Sequence, residues 1–480
     1  MLRMDRSNPD WGLLLRCLLV IILIALLGLS PTPHNARQAM EQARRAMDDN
    51  APGRAAAALE QAWSYFPWRI DLRLLAGRAA FQAGEADSAI EHLEFVASQG
   101  ALSSQDRVSL GDAYLASGDA SQALASWKTA LKDDPQLAEA HQRLADFYLS
   151  QGDYPAAISA LKDLFALKPA EIALSYQIGL LLSATQPESA LPYLAQAAAD
   201  PSLAAQAGEL QRRIEIALVS EEPAYSLTSA GRALAALGEW ELAEEAFTRA
   251  TQARPDYAEA WAYLGEAHQH QGSAASQAGL IELEKALQLD PASIAGNVFT
   301  ALYWGRQGEH QAALQFLQAA AAADPENPAL QIEIGATLAE MGDLPTAQTY
   351  YERATQLEPN NPSTWRALAE FALTHQIQTR QIALPAARRA VILAPDDPPS
   401  LDIMGLTLLA LGDYHSAEAY LNQAITLQPD YVPAQLHLGI VYQNLGDLTH
   451  ARDQFNLVRQ LAPDTWAADQ AQRWLDSTFP

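Results

Sequence analysis

Cysteine is nearly absent. Among 480 residues only Cys17 carries a thiol, so no disulfide can close within the chain and no metal site can be built on thiolates. Positive charge is scarce too. Lys and Arg together number 31 against 57 Asp and Glu, a formal net charge of −26. Such a surface repels phosphate backbones, which excludes nucleic acid as an expected partner. The same charge keeps a long chain in solution. Catalytic signatures are missing. There is no glycine-rich phosphate loop, no H-E-x-x-H, no nucleophile elbow and no C-x-x-C. The chain reads as a protein that is not an enzyme, with no cofactor and no metal. Residues 48–60, DDNAPGRAAAALE, approach a calcium loop, but Pro52 and Leu59 stand where oxygen ligands are needed. His268 and His270 are two apart, so on a helix they point to different faces and read as solvated. The acid pair Glu244 and Glu245 reads as exposed helix surface.

Long apolar runs are also lacking, with one exception. Residues 12–29, GLLLRCLLVIILIALLGL, hold thirteen Leu, Ile or Val among eighteen. At ~1.5 Å per residue they span roughly 27 Å, close to a hydrocarbon core of about 30 Å. Each such residue favours insertion by roughly 0.3 to 0.6 kcal/mol, and Arg16 opposes it by at most about 3. Arg16 lies near one end and can snorkel. A transmembrane signal-anchor helix is therefore expected over 12–30, after a short tail, 1–11. Pro31 follows Ser30 and makes a poor cleavage point, so the segment is expected to stay uncleaved. Arg3, Arg6 and Arg16 on one side nearly balance Arg37, Arg44 and Arg45 on the other. A first apolar segment of this kind usually leaves its N-terminus inside, which places the rest of the chain outside the cytoplasm.

What fills the remainder is repetition. LGDYHSAEAYLNQAITLQPD, 411–430, returns as LGDLTHARDQFNLVRQLAPD, 445–464, an offset of 34. Gly followed by Asp or Glu begins at Gly84, Gly118, Gly152, Gly238, Gly308, Gly342, Gly412 and Gly446; Gly272 keeps the glycine, while Gln186 and Gln376 fill the slot without it. Pro135, Pro169, Pro255, Pro291, Pro325, Pro359, Pro395, Pro429 and Pro463 march in step. Within residues 398–431, Leu401, Met404, Gly405 and Leu408 make one apolar stripe of a first helix. Gly412 should end that helix in the left-handed conformation. Asp413 should cap the second helix, which is read to bury Ala417, Tyr420, Leu421 and Ala424. Pro429 should stop it, and Asp430 start the next unit. Gly405 and Ala417 are small where two helices must approach closely. Gly77, Gly111, Gly179, Gly231, Gly265, Gly335 and Gly439 repeat the first position; Ala89, Ala123, Ala157, Ala243, Ala313, Ala347 and Ala451 repeat the second. Trp127, Phe247, Tyr351 and Phe455 fill the bulky slot of the second helix and read as core.

This lattice resembles the tetratricopeptide repeat family over about residues 43–463. AEAWAYLGEAHQHQG, 258–272, and GDYPAAISALKDLFALKP, 152–169, look like its two helices. The resemblance implies an all-α, right-handed solenoid of about eleven to twelve helical hairpins whose concave face binds proteins or peptides. The expected divisions are a tether over 31–42, a first repeat block over 43–201, a connecting helix and linker over 202–223, a second block over 224–463 and a capping helix over 464–480. Extra residues near 273–279 and 376–383 read as longer loops. Inner-facing slots hold Arg78, Asp112, Asp146, Leu180, Arg232, Glu266, Leu302, Ala336, Glu370, Leu406 and Ile440. No Asn is among them, so neither the carboxylate clamp of the chaperone-binding type nor an Asn ladder carries over. One stretch concentrates aromatic and Arg residues on neighbouring first helices: Tyr225, Arg232, Tyr263, Glu266, Gln269, His270, Val298, Phe299, Leu302 and Arg306. It is the expected binding groove, and its acids would favour a basic partner. The reading is a membrane-anchored, non-catalytic scaffold in envelope assembly, secretion or polymer export; the alternative is an adaptor or regulatory subunit facing the cytoplasm.

Overall fold

The computed structural model of the chain describes residues 34–271 and 273–478. The apolar segment 12–29 and Cys17 lie outside the described residues. Among the described residues no helix is long and apolar enough to cross a membrane. All regular structure there is helical, in 26 helices without a strand. They run α1 (His34–Asp48), α2 (Pro52–Tyr65), α3 (Ile70–Gln82), α4 (Ala86–Ser98), α5 (Ser104–Ala116), α6 (Ala120–Asp133), α7 (Ala138–Ser150), α8 (Tyr154–Leu167) and α9 (Ile172–Thr185). Then follow α10 (Pro187–Ala197), α11 (Ala204–Leu218), α12 (Pro223–Ala236), α13 (Trp240–Ala253), α14 (Ala258–Gln269), α15 (Ser273–Leu289), α16 (Ile294–Arg306), α17 (His310–Ala323) and α18 (Pro328–Glu340). The last are α19 (Leu344–Leu357), α20 (Pro362–Thr374), α21 (Ala383–Leu393), α22 (Pro398–Ala410), α23 (Tyr414–Leu427), α24 (Val432–Leu445), α25 (Leu448–Leu461) and α26 (Trp466–Thr478).

Two compact units result. One holds the described residues up to Leu181 with Ala199–Leu203, the other Leu182–Ala198 and the described residues from Ala204 onward. Within each unit a first helix packs on its second helix and touches the next first helix, as α14 touches α15 and α16.

The small-residue lattice explains how the hairpins close. A Cβ on Gly231 would stand 2.5 Å from Phe247, one on Gly405 2.6 Å from Leu421, and one on Gly439 2.6 Å from Phe455. The facing alanines, Ala243, Ala417 and Ala451, have no exposed surface. Trp127, Phe247 and Phe455 are likewise buried, each worth roughly 2 to 3 kcal/mol of apolar transfer. Gly84, Gly118, Gly152, Gly238, Gly308, Gly342, Gly412 and Gly446 all take the left-handed conformation, φ between 69° and 91°. Gln376 takes it without being glycine, φ 51°.

Where Asp follows that glycine, its carboxylate accepts from the backbone N–H three residues on. Asp119, Asp153, Asp343, Asp413 and Asp447 all cap in this way. Glu85, Glu239 and Glu309 occupy the same place without a side-chain cap bond. One more methylene carries the carboxylate past the orphan donors.

Ion pairs tie successive first helices within each unit. Arg78 meets Asp106 at 2.6 Å and Arg143 meets Asp112 at 3.0 Å. In the second unit Arg306 meets Glu266 at 2.7 Å, Arg366 meets Asp397 at the start of α22, and His437 meets Asp402 at 2.7 Å.

Several expectations need correction. The tether read over 31–42 is helical from His34, because Ala36, Ala39, Ala43 and Ala46 form a buried small-residue stripe. The surplus residues near 273–279 extend α15 to 17 residues instead of lengthening a loop; the second surplus does form turns between α20 and α21. Asp430 caps nothing: the N-cap of α24 is Tyr431, without a side-chain bond. Tyr420 is half-buried. The segment 202–223 supplies α11, which packs between α10 and α12 and continues the stack of the second unit. After Pro463, α26 packs on the last apolar face: Ala471 is buried, and Trp474 stacks on Phe455 with ring centroids 6.4 Å apart.

Candidate functional site: the first-helix row of α12, α14 and α16

The first-helix register puts the ten candidate residues on three neighbouring helices of the second unit. Tyr225 and Arg232 lie on α12, Tyr263, Glu266 and Gln269 on α14 with His270 just past its end, and Val298, Phe299, Leu302 and Arg306 on α16. Tyr225 is 41% exposed. The Arg232 guanidinium lies 5.1 Å from the centre of the Tyr263 ring and 3.3 Å from Glu259. Tyr263 stacks on Phe247 at 5.4 Å and meets Phe299 edge-on at 5.0 Å. Both rings are half-buried, so they anchor the hairpin seam and also line its surface. Burial pushes the Tyr263 phenol above its ordinary value. Val298 and Leu302 are half-buried on the same face of α16.

Glu266 is the polar centre of this row. It is buried, and it accepts from Arg306 at 2.7 Å. The His270 Nε2 stands 3.1 Å away, and Arg306 also donates to the Gln269 side-chain oxygen. The imidazole of His270 lies flat on Trp240, ring centroids 3.6 Å apart and planes 9° apart. A buried carboxylate is costly unless paired, and here Arg306 supplies the pair.

The reading of His268 as solvated is wrong. Its side chain is half-buried between two carboxylates, 2.5 Å from Glu282 through Nδ1 and 3.1 Å from Glu244 through Nε2. The hydrogen bonds to Glu244 and Glu282 push the imidazole up to about 10. The same contact with His268 holds Glu244 below its ordinary value, so Glu244 is not idle surface either. The two carboxylates bond opposite ring nitrogens and so share no vertex for a cation. Among the described residues no group of three or more His, Cys, Asp or Glu is placed to hold a metal ion.

Sequence reasoning missed Glu259 and Trp240. Glu259 pairs with Arg232 from the next first helix and also accepts from the Tyr257 hydroxyl at 2.8 Å. Burial, then Glu259, pushes that phenol up. The start of each first helix lies beside the middle of the preceding one; setting the register that way would have found Glu259. Trp240 opens a second helix, and no local pattern signals that a ring from the turn after α14 will lie on it.

The fold defines an α-helical tandem-repeat protein. The particular family follows from comparison with known proteins. Tetratricopeptide repeat models match residues 108–171 and 228–294, and a second set matches 35–103, 306–373 and 408–475. The chain belongs to the tetratricopeptide repeat family. No curated protein matches it. Among solved structures it is similar to yeast Tom70, at 16% identity and a TM-score of 0.44, over 85% of this chain and 95% of that one. It is also similar to pilF of Pseudomonas aeruginosa, at 19% identity and a TM-score of 0.36, over 46% of this chain and 98% of that one. A third is YrrB, described as a TPR protein with an unusual peptide-binding site, at 19% identity and a TM-score of 0.29, over 40% of this chain and 97% of that one.

Proposed function

We propose that the chain is a membrane-anchored, non-catalytic scaffold that binds protein or peptide partners on the concave face of a right-handed superhelix, in envelope assembly, secretion or polymer export. Residues 12–29 hold it in the membrane, and the repeats stand outside the cytoplasm. The principal partner surface is the row from Tyr225 to Arg306. The observation that carries this reading is the alignment of exposed Tyr225, Arg232 over Tyr263, Phe299 and Arg306 on three adjacent first helices. Aromatic and Arg side chains are what the centres of protein interfaces favour.

A photo-crosslinking residue at position 225, compared with one at exposed Gln315 on α17, tests the surface. In native membranes the first should capture a discrete partner that the second does not, and Arg232→Ala should reduce the yield. Equal capture at both positions, or none at 225, would refute the row. Protease added to intact spheroplasts tests the orientation. Digestion of the repeats is the expected result; full protection would place them in the cytoplasm.

A further inference from the structure

The acids beside the Tyr225–Arg306 row are already neutralised, Glu259 by Arg232 and Glu266 by Arg306. Uncompensated acid lies further along the second unit. Glu333 and Glu340 on α18 and Glu370 on α20 are exposed, and none of them has a cationic partner among the described residues. Their charges converge. The Tyr351 phenol is pushed up to about 12, first by burial and then by Glu333, Glu370 and Glu340. Glu370 also bears on Tyr431 and on His437.

Beside Glu370 the surface opens into a cavity of about 560 Å³ between α20, α22, α24 and the start of α26. The other charges that line it are spent. Arg366 is paired with Asp397, and buried Asp402 lies 2.7 Å from His437. Burial opposes a charge on that imidazole, but Asp402 and then Glu370 together outweigh it and hold the group above its ordinary value. The walls are otherwise mainly apolar, with Leu406 and Tyr431 among them. Trp466 stands at the edge, 70% exposed. It takes no part in the cap that α26 forms, which rests on Ala471 and Trp474.

We propose that this cavity docks a partner segment carrying a lysine or arginine flanked by apolar side chains. The cation seats on Glu370, and its neighbours lie against Leu406, Tyr431 and Trp466. Glu333 and Glu340 extend the negative field and steer such a segment in. An acidic segment is repelled. A second copy of this chain, itself at −26, is disfavoured on the same ground. The surface shares no residue with the Tyr225–Arg306 row and does not rest on it.

The test uses the full chain in phosphatidylcholine nanodiscs, with empty discs as the blank. It is titrated with a short fluorescein-labelled peptide in which two lysines are set among leucines and serines, and with the same peptide carrying glutamates for the lysines. Fluorescence anisotropy should show binding of the lysine peptide alone. Glu370→Lys should weaken it by about tenfold or more and Trp466→Ala by several-fold, whereas Gln315→Ala should leave it unchanged. All three substituted positions are exposed, and thermal melts confirm that the variants fold. Equal affinity for the two peptides, no binding of the lysine peptide, or indifference to Glu370→Lys would overturn the proposal. Concentration-dependent dimers that Trp466→Ala abolishes would assign the surface to a second copy instead.

Discussion

Two glycines seven residues apart in one repeat do unlike work. Gly405 sits in helix α22, where a Cβ would meet Leu421 at 2.6 Å; Gly412 ends that helix at φ 79° with nothing within 4 Å of its missing Cβ. Gly405→Ala gains about 1 kcal/mol of helix propensity and loses roughly 1 to 3 to overpacking. Gly412→Ala costs about 1 to 2 kcal/mol through backbone alone. A double-mutant cycle with Leu421→Ala separates them: strong coupling is expected for Gly405 and none for Gly412, read from denaturant midpoints. His268 supplies a pH prediction. Its folded pKa, about 10, lies above the ordinary histidine value of about 6.5. Its contribution is therefore fully present below pH 6.5 and is lost as pH rises towards 10. His268→Asn should lower the melting temperature at pH 6.5, and the gap to the parent should close by pH 10. A constant gap would contradict the charge argument. The glycine lattice was legible in the sequence because each position answers to a partner at fixed helical spacing. The His268 pairing was not, because Glu282 and Glu244 stand 14 and 24 residues away on other helices.

Among the helices, the starts of the second helices set up a natural comparison. Asp413 caps α23 through the Ser416 N–H, whereas Glu239 and Glu309 leave α13 and α17 uncapped by a side chain. Glu239→Asp and Glu309→Asp should each stabilise by up to about 1 kcal/mol, and Asp413→Ala should cost about the same. Chemical denaturation of the variants checks both signs; a neutral Asp413→Ala would deny the caps any weight. Element boundaries were the less legible part. Treating 34 residues as a fixed length assigned the surplus near 273–279 to a loop. SAASQAGLIELEKALQL holds no proline and only one glycine, so nothing stops the helix and the surplus is taken up as extra turns of α15. Likewise residues 31–42 read as a tether, but the alanines from Ala36 onward already keep helical spacing against α2. The ten residues of the candidate row were legible by register, Arg306 with its partner Glu266 among them; Glu259, which neutralises Arg232 from the start of the next first helix, was missed because the register was set on helix middles.

At the scale of the whole molecule, stability is a sum of neighbours. Each hairpin buries its face only against the next, so an end left bare weakens what adjoins it. Truncation after Asp464 removes α26 and uncovers Phe455. Amide hydrogen exchange should then quicken in α25 and α24, fade through α22 and leave α12 untouched. Uniform quickening across the second unit would mean that the unit unfolds as one. The ion pairs between successive first helices have a mechanical consequence. Each pair spans one joint, through Arg306 and Glu266, Arg366 and Asp397, or His437 and Asp402. Pulled from its ends, the second unit should behave as a spring with a latch at each of these joints. The latches release singly, before the apolar seams shear. Because half-exposed arginines hold some of them, their release force should fall as ionic strength rises.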